Sequence, residues 1–272
     1  MIALAAVLAL LAAVLAGPVP VWLAGSAAAL RHPGPALLAW QAIGAGTGLA
    51  AVGAALVLAA GAARGSPLAV AGLVAGVALA GYLVAVTAWV TVRTLARRRS
   101  HRGLLDLVAT PIAALPGGRL LDSVTPMAYC VPGLRPRTVV TSAVLARLAP
   151  AAVDAVLAHE RTHLAQRHDL VTLPFAAWQV ALPVLPAART ARVAVALLVE
   201  ALADDAARAR VGAAPLADAL RTVALTQAPC DVGTPPATVP GASRDRVTAG
   251  SAPLRPLAVP TDVSIRLARL NR

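Results

Sequence analysis

Residues 1–25, 36–61 and 67–92 are almost wholly apolar and contain no charged side chain. At 1.5 Å rise per residue a helix of about 20 residues crosses roughly 30 Å of hydrocarbon, so each stretch predicts a transmembrane helix. Breaker clusters divide them, Arg31-His32-Pro33-Gly34-Pro35 and then Arg64-Gly65-Ser66-Pro67. The first stretch lacks the charged n-region of a secretion signal and is read as retained. A re-entrant path for it is the alternative, which changes the side of the N-terminus and nothing downstream.

From residue 103 to 225 the pattern shortens to the alternating and helical periods of a compact domain. Residues 119–124, 127–131 and 137–142 carry β-branched or aromatic residues between Pro and Gly, which predicts short strands. Pro150 suits the first turn of a helix continuing through His168, with Val153, Leu157 and Leu164 on one stripe and Asp154, Arg161 and Asp169 opposite. Residues 170–186 are apolar but interrupted by Pro174, Pro183 and Pro186. A full crossing there would part the next helix, which carries Glu200, from the histidines. The stretch therefore reads as a membrane-surface or re-entrant hairpin, or as domain core. Beyond residue 225, Pro, Gly, Ser and Thr dominate up to a short amphipathic segment at 263–270 that suits a closing helix. The expected organisation is a membrane domain at 1–100, a second domain at 101–225 and a flexible tail at 226–272.

Composition agrees with lipid contact. Hydrophobic residues make up 58% of the chain and aromatics only 3%, so the apolar mass is Ala, Leu and Val, which favours closely packed helices over sheet. The net charge of +12 is what a nucleic-acid binder would also show, but Arg93, Arg97, Arg98, Arg99 and Arg102 follow directly on the third apolar stretch. The positive-inside bias explains them there, places the following domain in the cytoplasm and leaves no nucleic-acid partner to be expected. Lysine is absent, which excludes Walker-type phosphate loops, Schiff bases and Ser-x-x-Lys acylation. Cys130 and Cys230 fit neither a disulfide framework nor a thiolate metal site.

Candidate chemistry sits at His159-Glu160-Arg161-Thr162-His163. Residues i and i+4 leave one face of a helix, so both imidazoles can reach one cation, and the glutamate between them stands beside the metal as a general base. Five histidines and two glutamates scattered at random would give this spacing about once in a thousand chains of this length. A catalytic zinc takes three protein ligands and keeps an open position. Glu200, the other glutamate, heads Glu200-Ala201-Leu202-Ala203-Asp204 and is the candidate third ligand. Asp204, one turn on, is placed either to orient a ligand histidine or to be a solvated surface carboxylate. His168 falls off the ligand face by helical phase, Asp205 reads as surface, and His32 and His101 as solvated residues of connecting segments.

The HExxH helix, the later Glu-x-x-x-Asp, the segment Ala128-Tyr129-Cys130-Val131-Pro132-Gly133 and the preceding spans resemble the BlaR/MecR-type membrane metallopeptidases and, more distantly, the HtpX/Ste24 group. The resemblance implies a mainly α protein in which transmembrane helices precede a zincin-like α+β metallopeptidase domain with a small sheet. It implies one Zn2+ per chain, held by His159, His163 and Glu200 with Glu160 as catalytic base and Asp204 behind the ligands. It also implies a multi-pass protein of the cell membrane that cleaves protein substrates at the cytoplasmic face, often a partner transcriptional repressor. Without lysine the chain cannot build the acylation site of antibiotic-sensing members, so β-lactam sensing is not expected. The substrate is expected to pair beside residues 137–142, with Tyr129 and Arg208 as candidates for stabilising the oxyanion. Two competing readings are a catalytically silent zinc scaffold, which would not need Glu160, and a small transporter component, disfavoured by spans without charged residues.

Overall fold

The computed structural model describes residues 1–226 and 260–270; most of the expected tail, with Cys230, lies outside the described residues. The first apolar stretch forms two helices, α1 (Ile2–Ala16) and α2 (Pro18–Ala24), broken where Pro18 follows Gly17. A short α3 (Ala27–Arg31) leads to α4 (Pro33–Gly61) and α5 (Pro67–Val108). Proline opens α2, α4 and α5 at positions where its missing N–H is no loss. Ser66 caps α5 by accepting from the Ala69 N–H at 3.2 Å.

Three helical segments, Ile2–Ala24, Pro33–Gly61 and Pro67–Val108, are long and apolar enough to cross a membrane. Their most apolar windows bury no more than 17% of their residues inside the protein. Apolar surface left open on that scale needs a non-aqueous neighbour, which supports membrane localisation. Gly72 and Gly76 bring α5 against α4: a Cβ at Gly72 would stand 2.9 Å from the Ala55 carbonyl oxygen, and one at Gly76 2.6 Å from Leu56. At 42 residues, or about 63 Å, α5 outruns the apolar stretch by more than a third of its length, so span and following domain share one helix.

The sheet contains β1 (Thr110–Pro111), β2 (Gly118–Leu121), β3 (Ala128–Val131) and β4 (Arg137–Thr141) in the order β1-β2-β4-β3. The second and fourth strands are parallel and the other two pairings antiparallel. β4 is therefore interior, with Val139 and Val140 buried. This corrects the expectation that a substrate pairs beside 137–142, because both edges of that strand are already taken. The outer edges of β1 and β3 are left without a strand among the described residues, and that of β3 is the one on the side of α7.

Seven helices follow among the described residues: α6 (Ser142–Arg147), α7 (Pro150–Ala165), α8 (His168–Val171), α9 (Leu173–Ala181), α10 (Pro186–Val211), α11 (Ala213–Thr226) and α12 (Pro260–Leu270). The helix expected to run through His168 stops at Ala165, and Arg167 adopts a left-handed φ of 52° before α8 departs in a new direction. Of the paths open to residues 170–186, the chain takes a hairpin packed on the apolar helices. Gln41 donates to the Val171 carbonyl at 2.8 Å, Trp40 and Phe175 meet edge to face at 6.4 Å, and the Tyr82 hydroxyl donates to the Ala181 carbonyl at 2.9 Å. One core gathers Trp40, Ile43, Phe175, Val195 and Leu198. A second joins Ala155 and Ala158 of α7 to Ala207, Leu216, Leu220 and Leu270. α10 passes through both, and Glu200 lies between them.

Candidate metal centre

Alanines set the distance between the two helices that build the site. Ala155 and Ala158 on α7 and Ala203 and Ala207 on α10 are almost fully buried, and side chains this small let the helices approach closely. The polar residues one position along, His159 and Asp204, then meet across the gap. His159 Nδ1 stands 3.0 Å from Asp204 Oδ1, an ion-pair contact set off the line of a hydrogen bond, and Nε2 lies on the opposite side of the ring. There Nε2 lies 3.0 Å from His163 Nε2 and 3.2 Å from Glu200 Oε2, and His163 Nε2 lies 3.5 Å from Glu200 Oε1.

Those spacings test whether a metal fits. Ligand atoms about 2.0–2.2 Å from a tetrahedral zinc lie roughly 3.3 Å apart; the two imidazole nitrogens are 3.0 Å apart, each has a different Glu200 oxygen within 3.5 Å, and one atom from each residue can be chosen with all three within 4.8 Å of one another. Two imidazole nitrogens and a carboxylate oxygen are also the donor types that zinc takes, with a fourth position left for substrate or water. His159, His163 and Glu200 thus form a group able to hold a metal ion.

Electrostatics separates the roles. Burial pushes the His163 imidazole down to about 4, keeping it neutral and able to ligate. His159 is also penalised by burial, but the Asp204 and Glu200 carboxylates beside it outweigh that and raise it to about 10. Burial raises Glu200 and Asp204 too, yet His159 and the Arg266 guanidinium hold both below the usual carboxylate range. Glu160 differs. Desolvation brings its carboxyl up to about 7, where a group exchanges protons readily near neutral pH.

Glu160 faces β3, within hydrogen-bonding reach of the Cys130 thiol and backbone N–H. Strand register explains that contact. Thr141 N–H donates to the Met127 carbonyl and Tyr129 sits opposite Val139, so odd-numbered residues turn their backbone groups to β4. Ala128 and Cys130 turn theirs to the free edge, beside Glu160. Side chains alternate as well, which puts Tyr129 on the far face against His101, 3.2 Å from its hydroxyl. Tyr129 is therefore not placed at the oxyanion, and Arg208 is exposed on α10.

Three residues that sequence reasoning passed over lie at the site. Cys130 contacts Glu160. His168, displaced by the helix break, brings Nδ1 to 3.0 Å from His163 Nδ1. Arg266 of α12 donates to both oxygens of Asp204 at 2.7 Å and pairs with Glu200 at 3.0 Å. Asp205, read as surface, pairs with Arg269 of the same helix.

No curated protein and no solved structure matches the chain significantly. A family model does match. Residues 101–220, the segment that carries His159, Glu160, His163 and Glu200, match the one described as Peptidase family M48, which supports a metallopeptidase domain there.

Proposed function

We propose that the chain is an integral-membrane zinc endopeptidase that cleaves protein substrates at the cytoplasmic face of the cell membrane. The observation that carries this is the convergence of His159, His163 and Glu200 on one point, with Glu160 set between that point and the free edge of β3. When bound there, zinc supplies a Lewis acid for the peptide carbonyl. An extended peptide pairs with the outward backbone groups of Ala128 and Cys130, which lays its scissile bond beside Glu160. Glu160 then takes the proton of the attacking water and passes it to the departing amine.

The membrane setting follows from α5, whose apolar stretch ends at the cluster Arg93, Arg97, Arg98 and Arg99. Arg98 pairs with Asp169 at 2.7 Å, directly after the HExxH helix, so the site stands at the level of those arginines. The positive-inside bias makes that level cytoplasmic. A substrate with a regulatory role, such as a transcriptional repressor, agrees with the BlaR/MecR-type resemblance.

Glu160→Gln decides between catalysis and a structural metal. The variant is expected to keep stoichiometric zinc and lose about 10²–10⁴-fold in cleavage of a protein substrate found by comparing the proteomes of cells carrying wild type and variant. Proteolysis unchanged at full metal occupancy would overturn the mechanism.

A further inference from the structure

The last described helix reaches the site from far along the chain. α12 seats Leu270 in the core formed by α7, α10 and α11, and Arg269 ties it to α10 and to the membrane-side connection. That side chain pairs with Asp205 and donates to the Leu30 carbonyl at 2.9 Å and the Ala201 carbonyl at 3.1 Å. Held in this way, the helix presents Arg266 to the metal centre with a side chain only 9% exposed. The guanidinium uses Nε and Nη2 as a fork on the two oxygens of Asp204, and Nη1 pairs with Glu200 Oε2.

A planar fork of this kind fixes a carboxylate in orientation as well as in charge. Asp204 in turn fixes His159, because the same Oδ1 that accepts from Nη2 lies 3.0 Å from His159 Nδ1. Nη1 pairs directly with Glu200 Oε2 at 3.0 Å. One side chain therefore orients two of the three candidate ligands, one directly and one through Asp204.

Building on the metallopeptidase reading above, we propose that Arg266 is a positioning residue of the metal centre and that the C-terminal helix is an integral part of the peptidase site. The test uses the full-length chain in detergent or nanodiscs, with Arg266→Ala and Arg266→Lys, and reads zinc affinity by competition with a chelator as well as cleavage. Arg266→Ala is expected to weaken zinc binding by about 10–100-fold, the usual cost of removing a partner behind a metal ligand. Methylguanidinium, which restores the fork, should recover most of that loss, and methylammonium should not. Arg266→Lys keeps a charge but no fork and should fall between wild type and Ala. If Arg266→Ala fails to fold, the Lys variant carries the same comparison. Zinc affinity within twofold of wild type in a folded variant, or equal rescue by both cations, overturns the positioning role and leaves the peptidase reading standing. A wild-type chain that binds no zinc overturns that reading and this inference with it.

Discussion

His163 is oriented by a relay that begins outside the ligand set. Gln166 Oε1 can only accept, and it lies 2.9 Å from His168 Nε2, which makes that nitrogen the N–H of His168. His168 Nδ1 is then an acceptor for His163 Nδ1–H at 3.0 Å, and the Nε2 lone pair of His163 is left to face His159 and Glu200. The two candidate ligand histidines thus have different neighbours behind them, a carboxylate at His159 and a neutral imidazole at His163. His168→Ala should lower zinc affinity by about 10–100-fold, measured by chelator competition in protein of wild-type secondary structure. Affinity unchanged by that substitution would show that the relay does not orient His163. The HExxH spacing was legible because it is local, and Glu200 because glutamate is so rare in this chain. His168 was assigned to the wrong side because the phase argument assumed an unbroken helix, and nothing in the residue type of Arg167 announces its left-handed φ. Arg266 was invisible for a different reason: arginine is common here, and its partner Asp204 lies 62 positions away.

At the scale of elements, the strands were legible and their order was not. β-branched and aromatic residues between Pro and Gly mark where chain extends, but the parallel pairing of β2 with β4 requires the intervening β3 to lie beyond β4. No local pattern encodes that. The order decides which edge a peptide can use, and the register decides which backbone groups it meets. Ala128→Pro tests both. Proline is tolerated on an edge strand when its nitrogen faces outward, so the pairing of β3 with β4 should survive. The substitution removes one outward donor, worth about 1 kcal/mol, and kcat/KM for a peptide substrate should fall roughly five- to tenfold at unchanged zinc content. Tyr129→Pro, on the inward side, should instead destabilise the sheet. Equal activity in Ala128→Pro and wild type would move the substrate off this edge.

For the molecule as a whole, the contacts of α8 and α9 act as depth marks. Asp169 is level with Arg98, and Ala181 is level with Tyr82. Those two positions on α5 are separated by 16 residues, about 24 Å of helix. Tyr82 lies close to the middle of the apolar stretch 67–92. In the proposed membrane, the hairpin tip at 182–185 therefore sits near the midplane, and α10 climbs back past Trp40 and Ile43 to deliver Glu200 at the surface. Arg192 leaves α10 on that climb and donates to Gln179 of α9 at 2.6 Å, which keeps a guanidinium paired below the arginine cluster of α5. Val184 at the tip is 90% exposed, an unfavourable position for valine in water and a favourable one in lipid. In a background with Cys130 and Cys230 replaced by serine, Val184→Cys should resist a water-soluble maleimide added from either side. A fluorophore placed there through a lipid-soluble reagent should be quenched most by lipids brominated deep in their acyl chains. Leu134→Cys, on a fully exposed turn of the peptidase domain, should label from the cytoplasmic side alone. Rapid aqueous labelling at residue 184 would take the hairpin out of the bilayer. It would also raise the metal centre away from the membrane surface, because α10 is one continuous helix from Pro186 to Val211.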